Sequence, residues 1–196
     1  MINPENSFDP TPFVSGETES GSSYEVRTQQ QSQILGEMKS ADVPFIVFGS
    51  WAGKKQGIFD ESYNPSDIDI MVESTQRSDL RDFFEQSGFT LQDQGYKDVV
   101  NKDLACVDIH FIVSENDQYI EYTDHGTFYY PQDGFVESED GFRVMSPELA
   151  YLIISGGPQT IKQKEQQQRL HEFIDQDRLS KITKGFKYEP SASKNV

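Results

Sequence analysis

Two aspartates inside a run that otherwise reads as a buried strand constrain this chain most: Ser66-Asp67-Ile68-Asp69-Ile70-Met71-Val72. Stripping water from an unpaired carboxylate is expensive, so a core strand carries such groups only where something neutralises them. Strand side chains alternate between faces, which puts Asp67 and Asp69 on one face and Ile68, Ile70 and Val72 on the other. A second run, Val107-Asp108-Ile109-His110-Phe111, has the same phase, with Asp108 and His110 opposite its apolar residues. If the two strands are neighbours in register, the carboxylates of Asp67, Asp69 and Asp108 converge on one surface of a sheet.

Clustered carboxylates repel, and a hard, oxygen-seeking cation removes that penalty. Mg²⁺ commonly takes one or two protein carboxylates together with phosphate oxygens. Two such ions about 3.5–4 Å apart can grip the attacking and leaving oxygens of a phosphoryl displacement. Upstream, Pro44-Phe45-Ile46-Val47-Phe48 suits a central strand buried on both faces, and it ends at Gly49-Ser50. A glycine there lets backbone approach a ligand closely, and the amides of a following helix start can hold phosphate. Gly49 and Ser50 are therefore expected to cradle phosphate. Lys54 is a candidate for neutralising triphosphate charge, its alternative being an ordinary solvated loop lysine. Asp108 has an alternative too, as the ion-pair partner of Lys97 or Lys102. His110 reads as a hydrogen-bonded neighbour of the site as readily as a catalyst.

The order Gly49-Ser50, Asp67-Ile68-Asp69, then Val107-Asp108-Ile109-His110 resembles the signature of the nucleotidyltransferase superfamily, the polymerase-beta-like fold. With Phe48-Gly49-Ser50-Trp51-Ala52-Gly53 and Met145-Ser146-Pro147-Glu148-Leu149 before two helices, the chain is similar to the lincosamide and aminoglycoside-2″ nucleotidyltransferase group over about residues 30–175. The resemblance implies an α/β (α+β) fold, a mixed β-sheet flanked by helices with short C-terminal helices. It implies that Asp67 and Asp69 bind one or two Mg²⁺ ions and that Gly49 and Ser50 lie in the nucleotide-binding turn. Asp108 would be a metal ligand or the general base. The implied reaction moves AMP from ATP, or another nucleoside monophosphate from its triphosphate, onto a hydroxyl of a small molecule and releases pyrophosphate. Two departures stand out. Lys162-Gln163-Lys164-Glu165-Gln166-Gln167-Gln168-Arg169-Leu170 replaces the further acids often found on the last helix of drug-modifying members, which leaves the acceptor open. Gly49-Ser50 replaces a frequent Gly-Gly, which does not disturb the nucleotide site.

Composition narrows the partners. Of a net charge of −16, residues 161–196 carry 8 basic and 5 acidic side chains, or +3, leaving −19 for residues 1–160. Such a surface repels long nucleic acid, which is normally gripped by clustered Lys and Arg, and attracts small cations. No apolar run approaches the roughly 20 residues of a membrane helix, and no secretory signal is evident, so a soluble cytoplasmic protein is expected. Cys106 stands alone, without a disulfide partner.

Along the chain, residues 1–23 read as a disordered acidic leader and 24–183 as the nucleotidyltransferase-like domain. Its core sheet runs to about 145, its C-terminal helices span 146–183, and 184–196 form a flexible tail. Helical spacing is expected for Ile34, Leu35 and Met38, a loop or a short helix and loop over 50–66, and a strand over 67–73. A helix capped by Ser78 should run to Gln86, followed by a strand near Phe89–Gln92, a polar stretch from Asp93 to Asp103, and short β runs over 127–145. Ser146-Pro147-Glu148 starts one helix, and a second is expected from Thr160 to Ile174. Phe128, Tyr129 and Tyr130 read either as the wall of an acceptor cavity or as edge-strand packing. Two rival functions keep the fold: a catalytically silent nucleotide-binding module, or a transferase acting on a protein or a tRNA.

Overall fold

The computed structural model describes residues 21–59, 63, 65–156 and 160–191. The leader expected over 1–23 lies outside the described residues as far as residue 20. From Gly21 the chain is helical, and α1 (Gly21–Ser40) sends Ile34, Leu35 and Met38 into the core. Next come β1 (Ile46–Phe48), α2 (Gly49–Lys55) and β2 (Ile68–Glu73). A 3-10 turn at Ser74–Gln76 leads into α3 (Arg77–Gln86). The meander β3 (Thr90–Asp93), β4 (Lys97–Lys102), β5 (Ala105–Glu115), β6 (Gln118–Tyr122) and β7 (Gly126–Pro131) follows. The hairpin β8 (Phe135–Glu137) and β9 (Arg143–Met145) precedes the helices α4 (Pro147–Ser155), α5 (Ile161–His171) and α6 (Gln176–Gly185), and β10 (Lys187–Pro190) closes the chain.

The strands form one mixed sheet in the order β10-β7-β6-β5-β2-β1-β9-β8, with β3 joined through β4 to β5. β2 runs parallel to β5 and antiparallel to β1, so the strand carrying Asp69 is central. β5 is long enough to fork, pairing with β4 over residues 105–110 and with β6 over 112–115. Its apolar residues Ala105, Val107, Ile109 and Phe111 are buried, while Cys106, Asp108 and His110 share the half-buried opposite face. Ile68, Ile70 and Val72 do the same for β2, each contributing about 1.5–3 kcal/mol by its burial. No described helix is long and apolar enough to cross a membrane.

Several expectations need correction. The polar stretch Asp93–Asp103 contains β4, and Asp98 at its centre is fully buried. It is tolerated because α3 brackets it: Arg81 donates to both carboxylate oxygens, at 2.7 and 2.6 Å, and Arg77 donates at 2.6 Å. α3 begins at Arg77 after the 3-10 turn, so Ser78 is inside the helix rather than capping it. The helix expected from Thr160 to Ile174 ends at His171, and Asp175 caps a separate α6 by accepting the Arg178 N–H at 3.0 Å. The tail expected from 184 contains β10, whose exposed side chains carry no apolar signal but whose backbone pairs with β7. Ser146 caps α4 as the sequence implies, and the structure adds Thr160 as the cap of α5.

Candidate active site

Strand register sets the geometry. Asp69 is paired with Phe48 of β1 on one side and with Asp108 of β5 on the other. Asp67 sits two residues earlier, on the bend before β2, its Oδ1 accepting the Ser66 hydroxyl at 2.9 Å. The end of β1 turns at Gly49 with φ +62°, and a Cβ there would lie 2.2 Å from Asp69 Oδ2. Only glycine permits both the backbone angle and the close passage of the carboxylate.

Burial, then the neighbouring charge of Asp67, pushes the Asp69 carboxyl up to about 7; Asp108 adds to this, while His110 and Lys97 oppose it. Lys97 forms an ion pair with Asp108 Oδ2. The alternative weighed for Asp108 is thus present in the structure, and it coexists with the register pairing to Asp69. A ring nitrogen of His110 and carboxylate oxygens of Asp69 and Asp108 all lie within 4.8 Å of one another. Asp67 is outside that group. The donor set suits a divalent cation, whose charge would offset the crowding that raises Asp69.

A cavity of about 450 Å³ opens beside these residues. Gly49, Ser50, Asp67 and Asp69 line one part of it, and Phe59, Ile153, Ile154 and Leu170 supply an apolar wall. Gln166 of α5 donates to the Ser50 hydroxyl at 3.1 Å and to the Tyr63 hydroxyl at 2.8 Å, tying the last helices to the glycine turn. Gln163, Gln166 and Thr160 also line the cavity, which composition alone did not reveal in so glutamine-rich a segment. Lys54 is not among the lining residues; its ammonium donates to the Tyr63 carbonyl at 3.2 Å.

Of the aromatic trio, Tyr130 reaches the cavity, Phe128 stacks on it, and Tyr129 hydrogen-bonds to Glu189 at 2.9 Å. Behind the carboxylates, Glu121 of β6 is almost fully buried. Its two oxygens meet His110 Nδ1 at 2.5 Å and the Tyr130 hydroxyl at 2.6 Å. Burial and then Glu121 hold the Tyr130 hydroxyl well above its usual range, so tyrosine donates. The Cys106 thiol, pushed up to about 12 by burial and then by Asp108 and Asp67, stays protonated and unreactive.

Comparison with known proteins follows the same lines. The sequence profile of the aminoglycoside-2''-adenylyltransferase family matches residues 31–174, well over half the chain. The chain belongs to the aminoglycoside-2''-adenylyltransferase family. It is a nucleotidyltransferase. No curated protein matches it by sequence. Among solved structures it is similar to the lincosamide antibiotic adenylyltransferase LnuA in its lincomycin-bound form, with a TM-score of 0.62 and 18% identity over 74% of this chain and 97% of that one. It is also similar to ANT(2")-Ia in complex with adenylyl-2"-tobramycin, with a TM-score of 0.61 and 16% identity over 80% of this chain and 94% of that one. At these identities the structural likeness establishes the mixed-sheet nucleotidyltransferase fold that the family shares.

Proposed function

We propose that the protein transfers AMP from ATP to a hydroxyl group of a small antibiotic-like molecule, in the cytoplasm, with Mg²⁺ as cofactor. The observation that carries this reading is the register pairing of Asp69 with Asp108 beside the glycine that Asp69 requires. Asp67, Asp69 and Asp108 would hold the cation, and Gly49 and Ser50 the phosphates. When bound, Mg²⁺ would offset the negative charge of the triphosphate and of the departing pyrophosphate.

The acceptor hydroxyl oxygen attacks the α-phosphorus, the bond to the bridging oxygen breaks, and pyrophosphate leaves. The proton of that hydroxyl passes to a carboxylate within hydrogen-bond reach. Asp108, the register partner of Asp69, is the carboxylate we assign to this task, acting directly or by sharing the cation. The apolar wall of the cavity would receive the body of the acceptor or the nucleobase, with Gln163 and Gln166 supplying amides that pair with neutral polar groups. The lincomycin held by LnuA and the tobramycin adduct held by ANT(2")-Ia mark the range of acceptors to try.

The test is a pyrophosphate-release screen of lincosamides, aminoglycosides and other hydroxylated compounds with ATP, GTP, CTP and UTP, with and without Mg²⁺. Release that needs Mg²⁺ and an acceptor, and that disappears in Asp69→Asn while the fold persists by circular dichroism, is the expected result. Near-normal turnover in that variant would sink the mechanism.

A further inference from the structure

A buried carboxylate outside the nucleotidyl-transfer chemistry calls for an explanation. Glu121 is only 4% exposed, in a sheet where an unpaired charge would be costly. Both its oxygens are engaged, one by His110 Nδ1 at 2.5 Å and one by the Tyr130 hydroxyl at 2.6 Å. What this arrangement achieves is a fixed imidazole. The Phe48 ring meets it edge-on, with centroids 4.9 Å apart and planes at 90°, and restrains it from a second direction. With Nδ1 held by Glu121, the nitrogen left to act on anything else is Nε2.

We propose that His110 is a ligand of the cation held by Asp69 and Asp108, positioned by Glu121 and Tyr130, and that it shifts the preference of the site from Mg²⁺ towards Mn²⁺. The inference rests on the reading of Asp69 and Asp108 as cation-binding carboxylates. Donor atoms of the three residues already lie within 4.8 Å of one another. A metal-ligating histidine ordinarily gives its other ring N–H to a carboxylate, which fixes the ring and raises its basicity as a ligand. Glu121 stands in that relation to His110. Lys97 holds Asp108 Oδ2, so Oδ1 is the oxygen offered to the cation. Carboxylates alone favour hard ions such as Mg²⁺, whereas an imidazole nitrogen adds more to the binding of a first-row transition ion. Tyr130 also lines the cavity, so an occupant there would touch the residue that holds Glu121 in place.

The experiment uses the full chain without nucleotide, titrated separately with Mn²⁺ and Mg²⁺ by calorimetry, and examines the Mn²⁺ form by electron spin echo spectroscopy. The expected result is tighter binding of Mn²⁺ than of Mg²⁺ and an echo modulation from an imidazole nitrogen. Of the three histidines, His110, His125 and His171, only substitution of His110 by Gln should remove that modulation. Glu121→Gln should weaken Mn²⁺ binding by about 10-fold or more, with a smaller loss for Mg²⁺. Wild-type protein whose bound Mn²⁺ shows no nitrogen coupling overturns the proposal whatever the variants do, and so does His110→Gln binding Mn²⁺ as tightly as wild type. Mg²⁺-dependent pyrophosphate release from protein lacking the nitrogen signal would leave the transferase reading standing and remove this inference alone. The signal without pyrophosphate release, for any acceptor, would do the reverse.

Discussion

Asp69 concentrates the conflict between folding and function in one side chain. Burial and the charge of Asp67 raise its carboxyl to about 7, so at neutral pH the cation-free carboxyl is only about half ionised and its charge works against the fold. Asp69→Asn should therefore stabilise the cation-free protein while abolishing transfer. Each kcal/mol released would raise Tm by about 2–4 °C for a chain of this size, measurable by thermal melts in chelator. Gly49 carries the complementary prediction. Gly49→Ala puts a methyl 2.2 Å from Asp69 Oδ2 at a backbone angle of +62°, so it should lower kcat sharply and weaken Mg²⁺ binding, read by steady-state kinetics and calorimetry. Both residues were visible in the sequence as a glycine after a strand and a charge within one, but their contact was not. It comes from the antiparallel register of β1 and β2, which no local pattern encodes.

At the scale of elements, charge decides where apolar patterning fails. α3 is joined to β3 and β4 by Arg77 and Arg81, which pair with Asp93 and Asp98, and Arg77 also lies over the Phe111 ring at 4.4 Å. Arg81→Ala leaves Asp98 buried with half its partners, and a loss towards the lower end of about 3–5 kcal/mol is expected in denaturant unfolding. The same network predicts acid sensitivity. Burial pushes Asp98 up, but hydrogen bonds from Arg81 and Arg77 outweigh it and hold the carboxyl below its usual range. Arg81, with the Gly95 N–H, holds Asp93 down to about 2. Carboxyls depressed on folding favour the native state above their unfolded value near 4. That support is lost as pH falls from about 4 towards 2, so urea midpoints should drop across this window and drop less in Arg81→Ala. β4 was illegible because a Lys-Asp-Val-Val-Asn-Lys run reads as solvated until helix α3 is known to cover it.

At the scale of the molecule, the net charge of −16 predicts how the acceptor arrives. For a polycationic acceptor kcat/KM should fall as salt rises, and for a neutral one it should hardly change, which initial rates at several ionic strengths will distinguish. β10 protects the sheet: its backbone covers β7, the strand that carries Tyr130 to the cavity. Truncation after Phe186 should bare that edge and promote self-association, seen by light scattering on a sizing column. The sequence by itself determined the central strands, the side of each that carries acid, the glycine turn and the cap of α4. All of these depend on residues close together in the chain, where alternation and capping act. Only the tertiary structure decided which carboxylates meet, that Lys97 pairs with Asp108, that Glu121 and Tyr130 brace His110, and that Gln166 closes on Ser50. Those partners are brought together by strand register and helix docking over long separations, and a polar side chain carries no mark of the neighbour that makes its burial tolerable.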